Sequence, residues 1–182
     1  MSAYSVGYAL GQHFFFLLFL IPVFLFLRAQ HGALAMVRPE NRLLAPGLVW
    51  LQLIPIFNYV WIFIVVRRIS DSLAKEYAGW ESDSIFGIAD EEALKNLGKR
   101  PTYGIGLTYC ILCACLPVSV ILFNLYGSTT ITPENSAFYT AIGFVAFSLI
   151  LAALVCWIIY WVQLVVWKRR LRARVAFAGP TI

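Results

Sequence analysis

Four long apolar stretches limit what this chain can fold into. They cover residues 6–27, 46–66, 106–126 and 139–167, and each is apolar on every face of a helix. A helix needs about 20 residues, at ~1.5 Å each, to cross the ~30 Å hydrocarbon core of a bilayer, and each stretch is long enough. Helices without a polar stripe are typical of a lipid environment. The pattern therefore predicts four transmembrane helices.

The composition leaves little room for a soluble catalytic domain. Of the 182 residues, 61% are hydrophobic and 13% are charged, with a mean hydropathy of +0.79, whereas about a quarter of an average soluble domain is charged. The first stretch contains FFFLLFLIPVFLFL, which lacks the alternation of a membrane β-barrel strand. We therefore predict an all-α polytopic membrane protein, with residues 1–182 forming a single four-helix bundle.

The distribution of Lys and Arg predicts the orientation. Eleven of the 14 basic residues lie in the loop over 67–105 or in the basic C-terminal tail, 168–182, and the other three lie between the first two stretches. With four crossings, the loop and the tail share one side, and the positive-inside rule places that side in the cytoplasm. This predicts a multi-pass protein of the bacterial inner membrane, N-in and C-in. Because no Lys or Arg precedes the first stretch, we expect an uncleaved anchor and not a removed signal peptide.

The second stretch contains the most distinctive polar residues. Pro55 has no N–H to donate to the Leu51 carbonyl, so we expect a free acceptor in the middle of the membrane. Gln52 and Asn58 bring amides within two turns of this break, and Trp61 follows. These side chains either bond to a neighbouring helix or bind a ligand such as a quinone headgroup.

The spacing P-x-x-N-x-x-W, from Pro55 to Trp61, stands within a longer recognisable segment. It is preceded by PGLVW at 46–50 and followed by RISDSL at 68–73. Residues 46–73 resemble a signature of uncharacterised small multi-pass bacterial membrane proteins, grouped as domains of unknown function of the four-helix type. The resemblance implies a bacterial inner-membrane protein and brings no activity with it.

Few residues in the stretches are suited to chemistry. The central part of each stretch lacks Asp, Glu, Lys and Arg, which argues against a proton-coupled transporter. His13 has no second histidine at a similar depth to complete a haem site. Cys110, Cys113 and Cys115 lie in a continuous apolar helix, where thiols pack as small hydrophobic groups. We expect no cofactor, no metal and no enzymatic activity.

The remaining signal is a set of basic residues next to the membrane, which favours anionic lipid headgroups or membrane-protein partner subunits and not nucleic acid. We expect an accessory or scaffold subunit of a larger bacterial inner-membrane complex. One alternative is a homo-oligomeric channel or transporter lined by Gln52, Asn58, Asn124 and Gln163, and another is a cofactor- or quinone-binding membrane protein. The expected docking residues are Arg67, Arg68, Lys168, Arg169, Arg170, Arg172 and Arg174.

Overall fold

The computed structural model describes residues 3–83, 100–127 and 136–178, and this part of the chain is helical without a strand. The all-α prediction is therefore confirmed. Side chains are described for 20–78, 100–118, 121 and 140–173. The elements are α1 (Ala3–Met36), a 3₁₀ helix (Pro46–Leu53), α2 (Pro55–Asp83), α3 (Tyr103–Gly127) and α4 (Ser136–Ala178).

Helix α4 carries the strongest membrane signal. Among the described residues, one segment, Thr140–Ala173, is long and apolar enough to cross a membrane, with a mean hydropathy of 2.7. Shorter apolar segments lie in α1 (Leu20–Met36) and α3 (Tyr103–Val118). Only 6% of the most apolar part of α4 is buried inside the protein. Its outer surface is therefore apolar, as expected for a helix that contacts lipid.

Helices α1 and α2 run in the same direction. Near one end of the bundle, the Arg38 guanidinium and the Glu76 carboxylate form an ion pair at 3.0 Å. Further down, Leu27 of α1 and Ile62 of α2 line the same cavity. From the cavity to the ion pair, the chain runs forward in both cases, from Leu27 to Arg38 and from Ile62 to Glu76. The connection between them must therefore run back along the bundle before α2 can begin.

Helix α3 runs opposite to α1 and α2. Its start is held near α2 by Ser70, whose hydroxyl donates to the Pro101 carbonyl at 2.7 Å. A few turns later, Cys113 lines the same cavity as Asn58 of α2. Going from Pro101 to Cys113 along α3 therefore corresponds to going back from Ser70 to Asn58 along α2, so the two helices are antiparallel.

Helix α4 returns in the direction of α1. Trp157 lines the cavity, and Trp167 makes an edge-to-face contact with Tyr77 of α2 at 4.7 Å between ring centroids. The helix continues to Ala178, so much of the expected tail is helical. Likewise, α2 continues to Asp83, because Ile69, Leu73 and Tyr77 keep the spacing of one helix face, so the first part of the expected loop is helix. Residues 84–99 lie outside the described chain.

One part of the buried core lies at the end where α1 and α2 finish and α3 begins. We name this end the basic cap and define it as residues 28–45, 67–83, 100–103 and 167–178. Its apolar interior is supplied by all of the helical elements that reach it, and burial there is almost complete. The members with 0–7% of their surface exposed are Ala29, Ala33, Leu34, Val37, Leu44, Ile69, Leu73 and Leu171.

Candidate binding site at a helical hairpin

Residues 46–66, named the hairpin here, consist of two antiparallel limbs. The first is the 3₁₀ helix, and the second is the start of α2. The Trp61 indole N–H donates to the Leu48 carbonyl at 2.9 Å and joins the limbs. Nδ1 of His31 lies 3.0 Å from the Pro46 carbonyl oxygen, so the first limb begins close to the basic cap. The continuous helix expected over 46–66 is therefore replaced by a segment that enters and leaves at the same end of the bundle.

The two prolines explain where the chain turns. Pro46 and Pro55 each stand at the start of a helix, where a missing N–H leaves no intrahelical bond unmade. The residue before a proline avoids the helical region, and Ile54 is extended, with φ −82° and ψ 110°. Its N–H donates to the Leu51 carbonyl at 3.1 Å, so the free acceptor expected at Leu51 is filled. The Ile54 carbonyl accepts from the Asn58 N–H at 2.8 Å, so both backbone groups at the turn are bonded.

Gln52 holds the first limb against α1. Its side-chain N–H₂ donates to the Gln30 side-chain oxygen at 2.5 Å and to the Val49 carbonyl at 3.0 Å. Both glutamines are buried, with 0% of Gln30 and 8% of Gln52 exposed. The Gln30 side-chain nitrogen has no partner among the described residues, but the bonds that Gln52 makes favour one position of the hairpin, because a buried amide is costly without partners. The sequence analysis missed Gln30, although its place at the end of a long apolar stretch was a usable signal.

A cavity of about 470 Å³ lies beneath the turn of the hairpin. In the described part of the chain the backbones of α1 and α3 are not adjacent, and they are bridged by side chains such as Phe26 and Tyr109, whose ring centroids are 6.3 Å apart. Several lining side chains are also exposed on the outer surface, so the cavity is open at its side. Their exposed fractions are 38% for Leu20, 51% for Leu53, 51% for Ile150 and 45% for Leu154.

Polar groups in the cavity are concentrated at the hairpin. Gln52, Pro55 and Asn58, three of the four residues singled out from the sequence, line it, whereas Trp61 does not and joins the limbs instead. The side-chain oxygen of Asn58 is buried and has no hydrogen-bond partner among the described residues. Asn58 therefore lines the cavity and carries a side-chain oxygen that lacks a donor among the described residues, while Tyr109 of α3 adds a hydroxyl-bearing side chain to walls that are otherwise mainly apolar.

The three cysteines of α3 have different environments. Cys110 is fully buried, Cys113 lines the cavity, and Cys115 is exposed on the outside of the helix. Among the described residues, no group of three or more His, Cys, Asp or Glu side chains is arranged to hold a metal. The side chain of His13 lies outside the described residues.

The amides of the channel alternative do not share one surface. Gln52 and Asn58 line the cavity, whereas Gln163 of α4 does not. The side chain of Asn124 lies outside the described residues. The cavity therefore brings together two of the four amides.

The basic cap is held together by a buried carboxylate that the sequence analysis did not single out. Only 4% of the Glu76 side chain is exposed. Its oxygens accept from the backbone N–H and Nε of Arg38, at 3.1 and 3.0 Å, and from the side-chain amide of Asn41 at 2.8 Å. Ser72 adds a link by accepting from the Leu43 N–H at 2.9 Å. Residues 37–45 are therefore fastened to α2.

The expected docking residues lie on or next to this cap. Arg67 pairs weakly with Asp71, at 3.8 Å, and Arg170 lies over the Trp167 ring with 5.0 Å between the guanidinium carbon and the centroid. Lys168 lies against Gly32 of α1, and the side chain of Arg174 lies outside the described residues. The expected docking residues with exposed, described side chains are Arg67, Arg68, Arg169, Arg170 and Arg172.

Comparison with known proteins gives no relative: no family model, no curated protein and no solved structure matches this chain. The resemblance of residues 46–73 to small bacterial membrane proteins stays a prediction.

Proposed function

We propose that this protein crosses the bacterial inner membrane three times, through α1, α3 and α4, and inserts the hairpin from the cytoplasmic side without crossing. This arrangement replaces the four crossings expected from hydropathy. The start of α1 is then outside the cytoplasm, and the basic cap is inside. The support is the shared direction of α1 and α2, together with the return of the chain through the 3₁₀ helix.

The charge distribution favours this arrangement over four crossings. All 14 Lys and Arg residues lie between 28 and 45, between 67 and 100, or after 167, and the described parts of these segments meet at the basic cap. With three crossings they share one side, whereas four crossings separate three of them from the other eleven. The positive-inside bias is therefore complete for the proposed orientation.

The exposed surface of the hairpin also supports its insertion. Ile56 is 87% exposed and Val60 is 67% exposed, and neither side chain is suited to water. At the turn, the N–H and the carbonyl of Ile54 are both bonded, which lowers the cost of placing this residue at membrane depth. A hairpin with apolar sides and these bonds at its turn can lie in lipid.

In this membrane setting, we propose a non-enzymatic role as an accessory subunit whose basic cap binds an acidic surface of a partner subunit. The single observation that carries this role is the Glu76 network, because a protein that only needed anchoring would not require residues 37–45 to be fastened to α2. The network fastens residues 37–45 to α2, and exposed arginines such as Arg68 and Arg172 belong to the same cap. Charged surfaces of this kind select partners and orient them.

The topology is tested by labelling single cysteines, in a variant without native cysteines, with a membrane-impermeant thiol reagent on intact cells. We expect Glu40→Cys to react only after the cells are opened. Four crossings predict labelling of Glu40→Cys in intact cells, so this result would reject the proposed orientation. Thr130→Cys, between α3 and α4, is the control, because both arrangements place it outside.

The accessory role is tested by purifying the tagged protein in a mild detergent and identifying what co-elutes. We expect a foreign membrane subunit at a fixed stoichiometry. The double variant Arg68→Glu, Arg172→Glu should lose this subunit, and the charge-preserving variant Arg68→Lys, Arg172→Lys should keep it. Elution as a single species with only lipid, or equal recovery with both variants, would contradict the proposed role.

A further inference from the structure

We propose that the cavity beneath the hairpin binds a neutral, long-chain amphiphile from the membrane, with its apolar chain in the cavity and a small hydroxyl-bearing head at Asn58. Quinols and long-chain alcohols share this chemistry. The proposal depends on the membrane embedding described above and not on the accessory role.

The depth of the turn suits a ligand that lies within the hydrocarbon. The 3₁₀ limb has eight residues, and at ~2.0 Å per residue it descends ~16 Å, about half of a ~30 Å hydrocarbon core. Asn58 stands one turn of α2 after Pro55 and lines the cavity close to this depth. The charged head of a phospholipid stays at the membrane surface, so a neutral head is the one that can reach this site.

The size and walls of the cavity favour an apolar chain. Its volume of about 470 Å³ is within the ~300–1,000 Å³ range of small-molecule sites. Filling it with water would take on the order of 15 molecules at ~30 Å³ each, and the walls provide few polar partners for them. Leu20 and Leu154 line the cavity and are also partly exposed on the outer surface, so in the proposed membrane setting a chain can enter directly from the bilayer.

Asn58 determines which head fits. Its side-chain oxygen is buried without a hydrogen-bond partner among the described residues, and an acceptor in that state is stabilised by a donor. A hydroxyl provides that donor, whereas a hydrocarbon or an ester does not. The described lining contains no Asp, Glu, Lys or Arg, so a charged head would lack a counterion there. The polar specificity is therefore for a neutral hydroxyl.

The experiment uses the full-length protein in lipid nanodiscs and a C18 alcohol that carries a photoreactive diazirine in its chain. After illumination, modified residues are mapped by mass spectrometry with increasing amounts of unlabelled oleyl alcohol. We expect adducts on cavity residues such as Cys113 and Leu116, and we expect the competitor to suppress them. Adducts on Phe144 and Val145, which are exposed on the outside of α4, should not be suppressed.

Two further comparisons test the role of the head. Methyl oleate, which has a similar chain without a hydroxyl, should compete about fivefold less well than oleyl alcohol, as expected for one hydrogen bond. In Asn58→Leu this preference should disappear, whereas Ser148→Ala, whose hydroxyl bonds only to its own helix, should keep it.

Adducts that are spread evenly over lipid-facing residues and resist competition would overturn the cavity as a binding site. Equal competition by the two C18 compounds in the unmodified protein would overturn the hydroxyl specificity, and this result does not depend on any variant folding. A failure of membrane embedding would be recognised separately, because the protein would then be extracted by alkaline carbonate without detergent.

Discussion

The basic cap and the other half of the bundle are built from the same helices but are packed differently. In the cap, Leu34, Leu73 and Leu171 are fully buried, and Glu76 has partners for both of its oxygens. In the other half, the hairpin lines a cavity together with α1, α3 and α4, and many large apolar side chains are exposed on the outside although others, such as Tyr160, are fully buried. Helix α4, for example, exposes large apolar side chains along its first part and buries Leu171 in the cap.

The contrast follows from the solvent proposed for each half. Water drives apolar side chains together, so a part of the protein that projects into water buries its leucines and satisfies its polar groups. Lipid tails are as apolar as leucine, so burial inside the protein gains little there, and close packing or hydrogen bonds must hold the helices. A cavity is tolerated in lipid because hydrocarbon can fill it.

The largest expected difference between the halves comes from removing a leucine in each. Leu34→Ala should lower the free energy of unfolding by about 3 kcal/mol, because a fully buried side chain is replaced by a void. Leu154→Ala, at a residue 45% exposed on α4, should cost less than ~1 kcal/mol because lipid or detergent refills the space. Thermal unfolding in detergent measures both, and equal losses would show that the two halves are packed alike.

Removing the carboxylate of the cap should have the next largest effect. Glu76→Ala leaves the Arg38 and Asn41 donors without their acceptor and should cost about 2–3 kcal/mol. It should also make residues 37–45 more sensitive to protease. The control is Glu40→Gln: Glu40 lies 3.7 Å from Arg38 but is 64% exposed, so its loss should cost under ~0.5 kcal/mol. A Glu76 variant as stable as the control would contradict a structural role for this network.

Substitutions at two glycines of α3, Gly104 and Gly106, test how closely α3 approaches α2 and α4 at the boundary between the two halves. A Cβ at Gly106 would lie 2.6 Å from a Val66 methyl carbon and 3.0 Å from the Tyr160 ring, so Gly106→Ala should destabilise by about 1–3 kcal/mol. A Cβ at Gly104 meets nothing within 4 Å, and Gly104→Ala should stabilise by about 0.4–1 kcal/mol through the unfolded chain. Chemical denaturation of both variants checks the sign, and matching signs would argue against this approach of α3 to α2 and α4.

The smallest expected effect concerns the hairpin. Trp61→Phe removes the bond to the Leu48 carbonyl and should cost about 0.6 kcal/mol, the usual contribution of a side-chain hydrogen bond within a membrane. Tyr59→Phe is the control, because that side chain is 47% exposed beside Trp61 in the chain. If thermal melting shows a loss for Trp61→Phe that is no greater than for Tyr59→Phe, the link between the limbs does not contribute to stability.

Several features were predictable from local sequence. Helical structure in the apolar stretches and the continuation of α2 beyond Val66 both follow from side-chain type and period. Gln52, Pro55 and Asn58 attracted attention because polar residues and prolines are rare in such stretches, and the structure gathers them at one cavity. These inferences need only neighbours along the chain.

The hairpin conformation of residues 46–66 could not be predicted in the same way. Their length and hydropathy suit a crossing helix, and a proline inside an apolar run suggests a kink as readily as a new helix start. The turn at Ile54 is held by contacts with distant residues, which include the bond between Gln52 and Gln30. Glu76 was missed for a similar reason, since its partners are Arg38 and Asn41, more than thirty residues away.

The sequence by itself determined that this chain is helical and strongly apolar, because hydropathy and periodicity are properties of neighbouring residues. Only the tertiary structure decided that α1 and α2 run in the same direction and that a hairpin lies between them over a cavity. Direction depends on which distant polar groups pair, and the hydropathy of a stretch is the same whether it crosses a membrane or turns back within it.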